Sequence, residues 1–342
     1  MSRGDTLKQM SLALLCLIPL SGCLADQPLD ITVEDEAVRA RILKTYERAQ
    51  DGEAEAQNSI GRAYALGDSV RKDKRKAREW FERAAEQGDS LAQYNLYLLL
   101  TGGDNTSMKD SEQALKWLHA AADRYSVRAQ FRLAELYRKG EANEPQDLAR
   151  AAALYRSAAE RGYAPAQYNI GRLYEDGLGV AKDDTRAFFW FLAAARRGVV
   201  DAQLEVGTKY ESGAGVAEDD EKAARWFKRA AVRNSPAAQY SLSALYALGK
   251  GVDKNLVKAY AWSELAAKQG LPAAIKNREA FTNLLGPERL GQAKALTKRW
   301  AAELPPVESH GHRENSYFDN GSSAPISGLE ALKPRSRLRD RN

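Results

Sequence analysis

Between residues 166 and 174 the apolar positions Ala166, Ile170, Leu173 and Tyr174 fall at helical spacing. They line one face of an α-helix. Gly177-Leu178-Gly179-Val180 then breaks the pattern. A glycine just past a helix end can take the left-handed conformation that closes the last turn. A second helix is expected from about Asp183, where a carboxylate suits the exposed amides of a helix start. Its stripe is Ala187, Trp190, Phe191, Ala194 and Ala195, and it stops at Gly198. An isolated pair of such helices cannot bury both faces, so neighbours are required.

The chain supplies those neighbours by repeating itself. The dipeptide Ala-Gln stands at Ala56-Gln57, Ala92-Gln93, Ala129-Gln130, Ala166-Gln167, Ala202-Gln203 and Ala238-Gln239, in steps of 36 or 37 residues. Eleven residues after each alanine comes a glycine, and eight after it a tyrosine, with Leu100 as the exception. An aromatic recurs at Trp80, Trp117, Tyr155, Trp190, Trp226 and Trp262, each followed by paired alanines. We read Tyr155 as the residue that replaces tryptophan in the third unit. Small residues (Ala134, Gly171, Gly207, Ser243) share one position of the first helix and permit close approach, while Tyr97 breaks that rule. A fixed period of this length means a stacked array.

The remaining segments fit a capped array. Residues 36–53 read as an N-terminal capping helix, 54–270 as the repeats and 271–303 as C-terminal capping helices that open their last helix at Gly286-Pro287. Residues 304–342 are polar and charged with few apolar groups, and read as a disordered basic tail.

The string Ala-Gln-Tyr-Asn-Ile-Gly-Arg-Leu-Tyr-Glu-Asp-Gly-Leu-Gly-Val at 166–180, with Asp183 and Trp190 beyond it, resembles the Sel1-like repeat, a tetratricopeptide-like helical array. Repeats four to six match best, through the turns at 177–180, 213–216 and 249–252; repeats two and three depart, with Thr106 and Asn143 in place of the valine. The resemblance implies an all-α fold: a right-handed α/α superhelical solenoid of about six helix-turn-helix repeats. It also implies a protein-interaction scaffold without catalytic residues.

The first residues read as an address. Arg3 and Lys8 precede an apolar run from Leu12 to Leu20, too short to span a membrane. Leu20-Ser21-Gly22-Cys23 resembles a bacterial lipobox. That resemblance implies removal of 1–22, lipid on Cys23, a short linker over 23–35, and a location in the cell envelope. Leu24 after the cysteine favours the outer membrane facing the periplasm, with the inner membrane as the other placement. Cys16 leaves with the signal, so no thiol remains for a disulfide or a metal.

Net charge is +5, and loss of Arg3, Lys8 and Asp5 leaves +4. It is unevenly spread. The run from Arg71 to Arg78 and the tail (Lys333, Arg335, Arg337, Arg339, Arg341) are basic, while Glu218-Asp219-Asp220-Glu221 is acidic. Contact with an anionic glycan or lipid through the basic run and tail is one reading; solvated helix starts are the other. Nucleic acid is not expected as a partner, since no aromatic is interleaved in either run.

No enzyme chemistry emerges. His119 reads as a surface helix residue, and His310 and His312 lie in the tail. The Gly-x-Gly turns follow helices rather than strands, so they stop helices rather than cradle phosphate. No catalytic residue, cofactor or metal is expected. Two functions remain: a lipid-anchored scaffold for envelope proteins, in envelope assembly or polysaccharide export; or a protein that binds or cleaves a glycan such as peptidoglycan. First helices of such arrays tend to line the concave face. Asn58, Arg62, Asn95, Arg132, Asn169, Arg172, Glu205 and Lys209 are therefore the candidate partner-binding residues, as exposed polar positions.

Overall fold

The computed structural model describes residues 29–102 and 108–305. The expected signal segment, Cys23, Thr106 and the tail beyond Pro305 lie outside them. Fourteen helices and no strand occur among the described residues. After α1 (Glu36–Gln50), each repeat is a helical hairpin: α2 (Ala54–Leu66) with α3 (Lys74–Glu86), α4 (Ser90–Thr101) with α5 (Met108–Asp123), α6 (Val127–Lys139) with α7 (Leu148–Glu160). The next three are α8 (Ala164–Asp176) with α9 (Asp184–Arg196), α10 (Val200–Ser212) with α11 (Asp220–Ala231), and α12 (Pro236–Leu248) with α13 (Leu256–Lys268). A last helix, α14 (Pro272–Glu303), is interrupted at Gly286, whose backbone is non-helical (φ 68°, ψ 168°). The chain is an all-α solenoid.

Two edges result. The turn edge joins each first helix to its second; the link edge joins each second helix to the next repeat. A 13-residue helix such as α8 sets them about 20 Å apart.

The turn edge is built identically in five repeats. The backbone amide of each second helix's N-cap residue donates to the recurring tyrosine: Asp73 to Tyr64, Asp147 to Tyr137, Asp183 to Tyr174, Asp219 to Tyr210 and Asn255 to Tyr246. Three residues on, a cation lies over the same tyrosine ring, as Arg186 does over Tyr174 at 5.5 Å. Asp183 both caps α9 and pairs with Arg186 at 3.2 Å. The tyrosine thus clamps the hairpin, which explains its recurrence.

The core shows one correction to the aromatic column. Trp80, Trp226 and Trp262 are buried and Trp117 and Trp190 partly so, while Phe81, Phe191 and Phe227, each one residue after a tryptophan, are fully buried. Tyr155, fully buried, stands in the phenylalanine register, and partly buried Leu154 occupies the tryptophan's place. The alanine pair Ala158-Ala159 sets this register, three residues after Tyr155 as Ala84 is after Phe81. The small position of the first helix faces these rings: a Cβ on Gly61, Gly171 or Gly207 would come within 2.6–2.8 Å of the phenylalanine. Tyr97 is accommodated because repeat two carries the smaller Leu118 in that register.

Candidate functional site

First helices of neighbouring repeats touch one another through polar side chains, which form a strip along the stack. Asn95 Nδ2 donates to Asn58 Oδ1 at 2.9 Å. Arg132 Nε donates to the Tyr97 hydroxyl at 2.8 Å. Asn169 Nδ2 donates to Glu135 Oε1 at 3.2 Å. Arg172 lies 4.0 Å from Glu205. Among second helices, the long Arg78 side chain bridges α3 to Asp110 and Gln113 of α5.

This first-helix strip corrects three of the eight candidate residues. Asn58 and Asn95 are buried, and their mutual bond closes a gap between repeats one and two. Lys209 is also buried; its ammonium sits 2.7 Å from Glu175 and 3.3 Å from Asp184. Burial lowers its pKa, but the bond to Glu175 and the two carboxylate charges outweigh that and raise it. Lys209 occupies the first-helix position that is Leu173 in repeat four and Leu245 in repeat six. These residues hold repeats together and are not an open surface. The eight candidates also do not share one register: Asn58 is two residues past its alanine, Asn95 three and Arg62 six.

The other five are partly or fully exposed. Arg62 lines a small groove between α1 and α2 with Val38, Ile42 and Leu66. Arg172 pairs with Glu175 and Asp176. Burial, and then the neighbouring Glu175 charge, push the Glu205 carboxyl above its ordinary value. Glu135 is held below it: burial raises it, but hydrogen bonds from Arg138 and the Tyr155 hydroxyl prevail. Much of the first-helix strip is therefore self-paired.

Cleavage of a glycan needs a carboxylate pair facing a cleft. Glu135, Glu175 and Asp184 are instead taken by these pairs. His119 is half-exposed, with Nε2 2.7 Å from Glu144. Among the described residues no group of three His, Cys, Asp or Glu could hold a metal. No described helix is long and apolar enough to cross a membrane.

Two features escaped the sequence pattern. One is the role of the recurring glutamine. In every repeat its Nε2 donates to a carbonyl in the last turn of the preceding second helix, or of α1, as Gln167 does to Ala159 at 3.0 Å. It thereby adds a second donor to a helix-end carbonyl that also accepts a backbone amide, as Ala159 O does from Gly162 N at 2.9 Å. The other is a row of arginines on the link edge: Arg124, Arg161, Arg197 and Arg233. Its signal is present in the sequence, as one arginine every 36 or 37 residues, with Gln87 and Gln269 at the same place in the outer repeats.

The Sel1 repeat family model matches six segments: 54–89, 90–126, 127–163, 164–199, 200–234 and 236–271. A crystal structure from Oxalobacter formigenes, described as a Sel1 repeat protein, is 30% identical over 81% of this chain and 80% of its own, with a TM-score of 0.55. A protective antigen present in uropathogenic Escherichia coli strains, displaying an SLR fold, is 30% identical with a TM-score of 0.66. The match covers 78% of this chain but only 57% of that antigen. No curated protein matches.

Proposed function

Since the chain belongs to the Sel1 repeat family, whose members are generally protein–protein interaction scaffolds, we propose that it is a lipid-anchored scaffold of the bacterial cell envelope. In this reading Cys23 carries the lipid and the array stands on the periplasmic face of the outer membrane. There it holds envelope proteins together in assembly or export.

The observation that supports the anchoring is a contact made close to Cys23 in the sequence. Residues 29–32 are strapped to the turn edge of repeat one. Thr32 N donates to Ser69 O at 3.1 Å, Arg71 N donates to Asp30 O at 2.9 Å, and Ile31 bridges Val70. Cys23 lies six residues before this strap. Arg71, Lys72, Lys74 and Arg75 are exposed beside it. A lipid at Cys23 would thus bring a basic cluster against the membrane surface, where each such charge contributes about 1 kcal/mol toward anionic headgroups.

Metabolic labelling with a palmitate analogue, followed by fractionation, tests the anchor. Wild type is expected to be labelled and membrane-bound, and Cys23→Ser unlabelled. A labelled Cys23→Ser variant, or soluble wild type, contradicts it. Crosslinking in cells tests the scaffold itself: recovery of the chain uncrosslinked to any protein would count against it.

A further inference from the structure

In the six repeats the recurring glutamine uses its Nε2 in the same way, but its Oε1 does not fare equally. In repeat one Gln87 Nε2 donates to Gln57 Oε1 at 2.7 Å. In repeat six Gln269 Nε2 donates to Gln239 Oε1 at 3.0 Å. In the four central repeats the oxygens of Gln93, Gln130, Gln167 and Gln203 are buried without a hydrogen-bond partner. Those are the four repeats in which arginine replaces the second glutamine: Arg124, Arg161, Arg197 and Arg233.

Each arginine turns away from the orphaned oxygen and lies along the link of the preceding repeat. A Cβ on Gly88 would meet the Arg124 guanidinium carbon at 2.7 Å, and one on Gly162 would meet Arg197 Nη2 at 2.7 Å. The Arg161 guanidinium lies 4.7 Å from the centre of the Tyr125 ring. Arg233 Nη1 donates to Gly198 O at 2.6 Å. The four guanidiniums are thus held in line, one per repeat, and none forms an ion pair among the described residues. Five carboxylates share this edge (Glu86, Asp89, Asp123, Glu160 and Asp201), and Arg128, Arg196 and Lys268 stand beside the four arginines, so its net charge is +2.

Leaving a buried acceptor unmade is costly, and buried polar groups are as a rule bonded. A local rule broken at one position of four consecutive repeats marks a functional requirement rather than a packing one. Arginine rather than lysine fills all four places, and its planar fork matches a carboxylate through two hydrogen bonds. On the same edge Asn234 Nδ2 donates to Pro305 O at 3.1 Å.

We propose that Arg124, Arg161, Arg197 and Arg233 form a docking edge for an extended, acidic segment of a protein partner. The proposal rests on the scaffold reading but not on the lipid anchor.

The test uses the full chain purified in neutral detergent and a fluorescent glutamate-rich peptide, followed by anisotropy at about 50 and about 200 mM salt. Wild type is expected to bind, more weakly at the higher salt. Changing all four arginines to glutamine, the residue of the outer repeats, should weaken binding at least about tenfold. The melting temperature of this variant should hold or rise, because each new amide can close an orphaned oxygen. A charge-matched variant on second helices (Arg83, Arg156, Arg225 and Lys228 to glutamine) should bind as wild type. Arg197→Gln alone should show both effects in smaller measure, and it serves should the quadruple variant not fold. Undiminished binding by the arginine variants, or an equal loss in the charge-matched one, would overturn the proposal. So would a lowered melting temperature, or wild type that binds labelled polygalacturonate or phosphatidylglycerol micelles but not the peptide.

Discussion

Lys209 Nζ lies 2.7 Å from Glu175 Oε1, across the boundary between repeats four and five, with 7% of the lysine side chain exposed. An ammonium this deep is tolerable only while its carboxylates remain, since breaking a buried pair leaves an uncompensated charge. Glu175→Ala is therefore expected to cost about 2–4 kcal/mol. Lys209→Leu installs the residue that repeats four and six carry there. It leaves Glu175 and Asp184 with partial exposure to water, and should cost less than about 1 kcal/mol. Urea melts of the two variants compare them directly. A Lys209→Leu change as damaging as Glu175→Ala would show that the pair itself, rather than the burial of its charge, governs stability.

Gly207 and Phe227 should behave as one unit. A Cβ on Gly207 would approach the Phe227 ring to 2.6 Å. Gly207→Ala is expected to destabilise by about 1–3 kcal/mol through overpacking, and Phe227→Ala by about 3–5 kcal/mol through the cavity it leaves. Gly207→Ala with Phe227→Leu should recover much of the first loss, because leucine in this register tolerates even Tyr97 in repeat two. The check is a double-mutant cycle by thermal melting. Strict additivity would contradict the assigned register of the second helix.

Glu205 makes stability depend on pH. Its folded pKa is raised, first by burial and then by Glu175. A carboxyl of this kind favours the folded state while it stays protonated. Its contribution is fully present below the unfolded value and is lost as pH rises through the folded one. Glu205→Gln keeps the neutral form at every pH. The variant should melt with wild type near pH 4 and about 2 °C above it near pH 7. Glu135 has the opposite sign. Its folded pKa is depressed, so its contribution is present above the unfolded value and fades as pH falls through the folded one. Calorimetry of Glu205→Gln and of Glu135→Gln across this range separates the two. A Glu205→Gln protein that melts below wild type at pH 7 would show that the contact with Arg172 outweighs desolvation.

The sequence by itself determined what repeats locally: the 36-residue period, two helices per repeat, and the glycine stops. Gly177 closes α8 with φ 69°, as its place after the apolar stripe suggests. Those features depend on residues a few positions apart, whose preferences are legible in one dimension. Which polar groups face water was decided only by the fold. Asn58 and Asn95 read as surface residues, yet each buries the other from 37 positions away. Lys209 reads as an exposed charge, yet repeat four supplies two carboxylates to hold it. Tyr155 reads as a tryptophan substitute until the alanine pair packed against the next repeat's glutamine fixes its register. The arginine row is written in the sequence as plainly as the glycines. Its meaning depends on an oxygen left unbonded at the helix junction, and only the stacked structure places that oxygen where the arginine could have met it and does not.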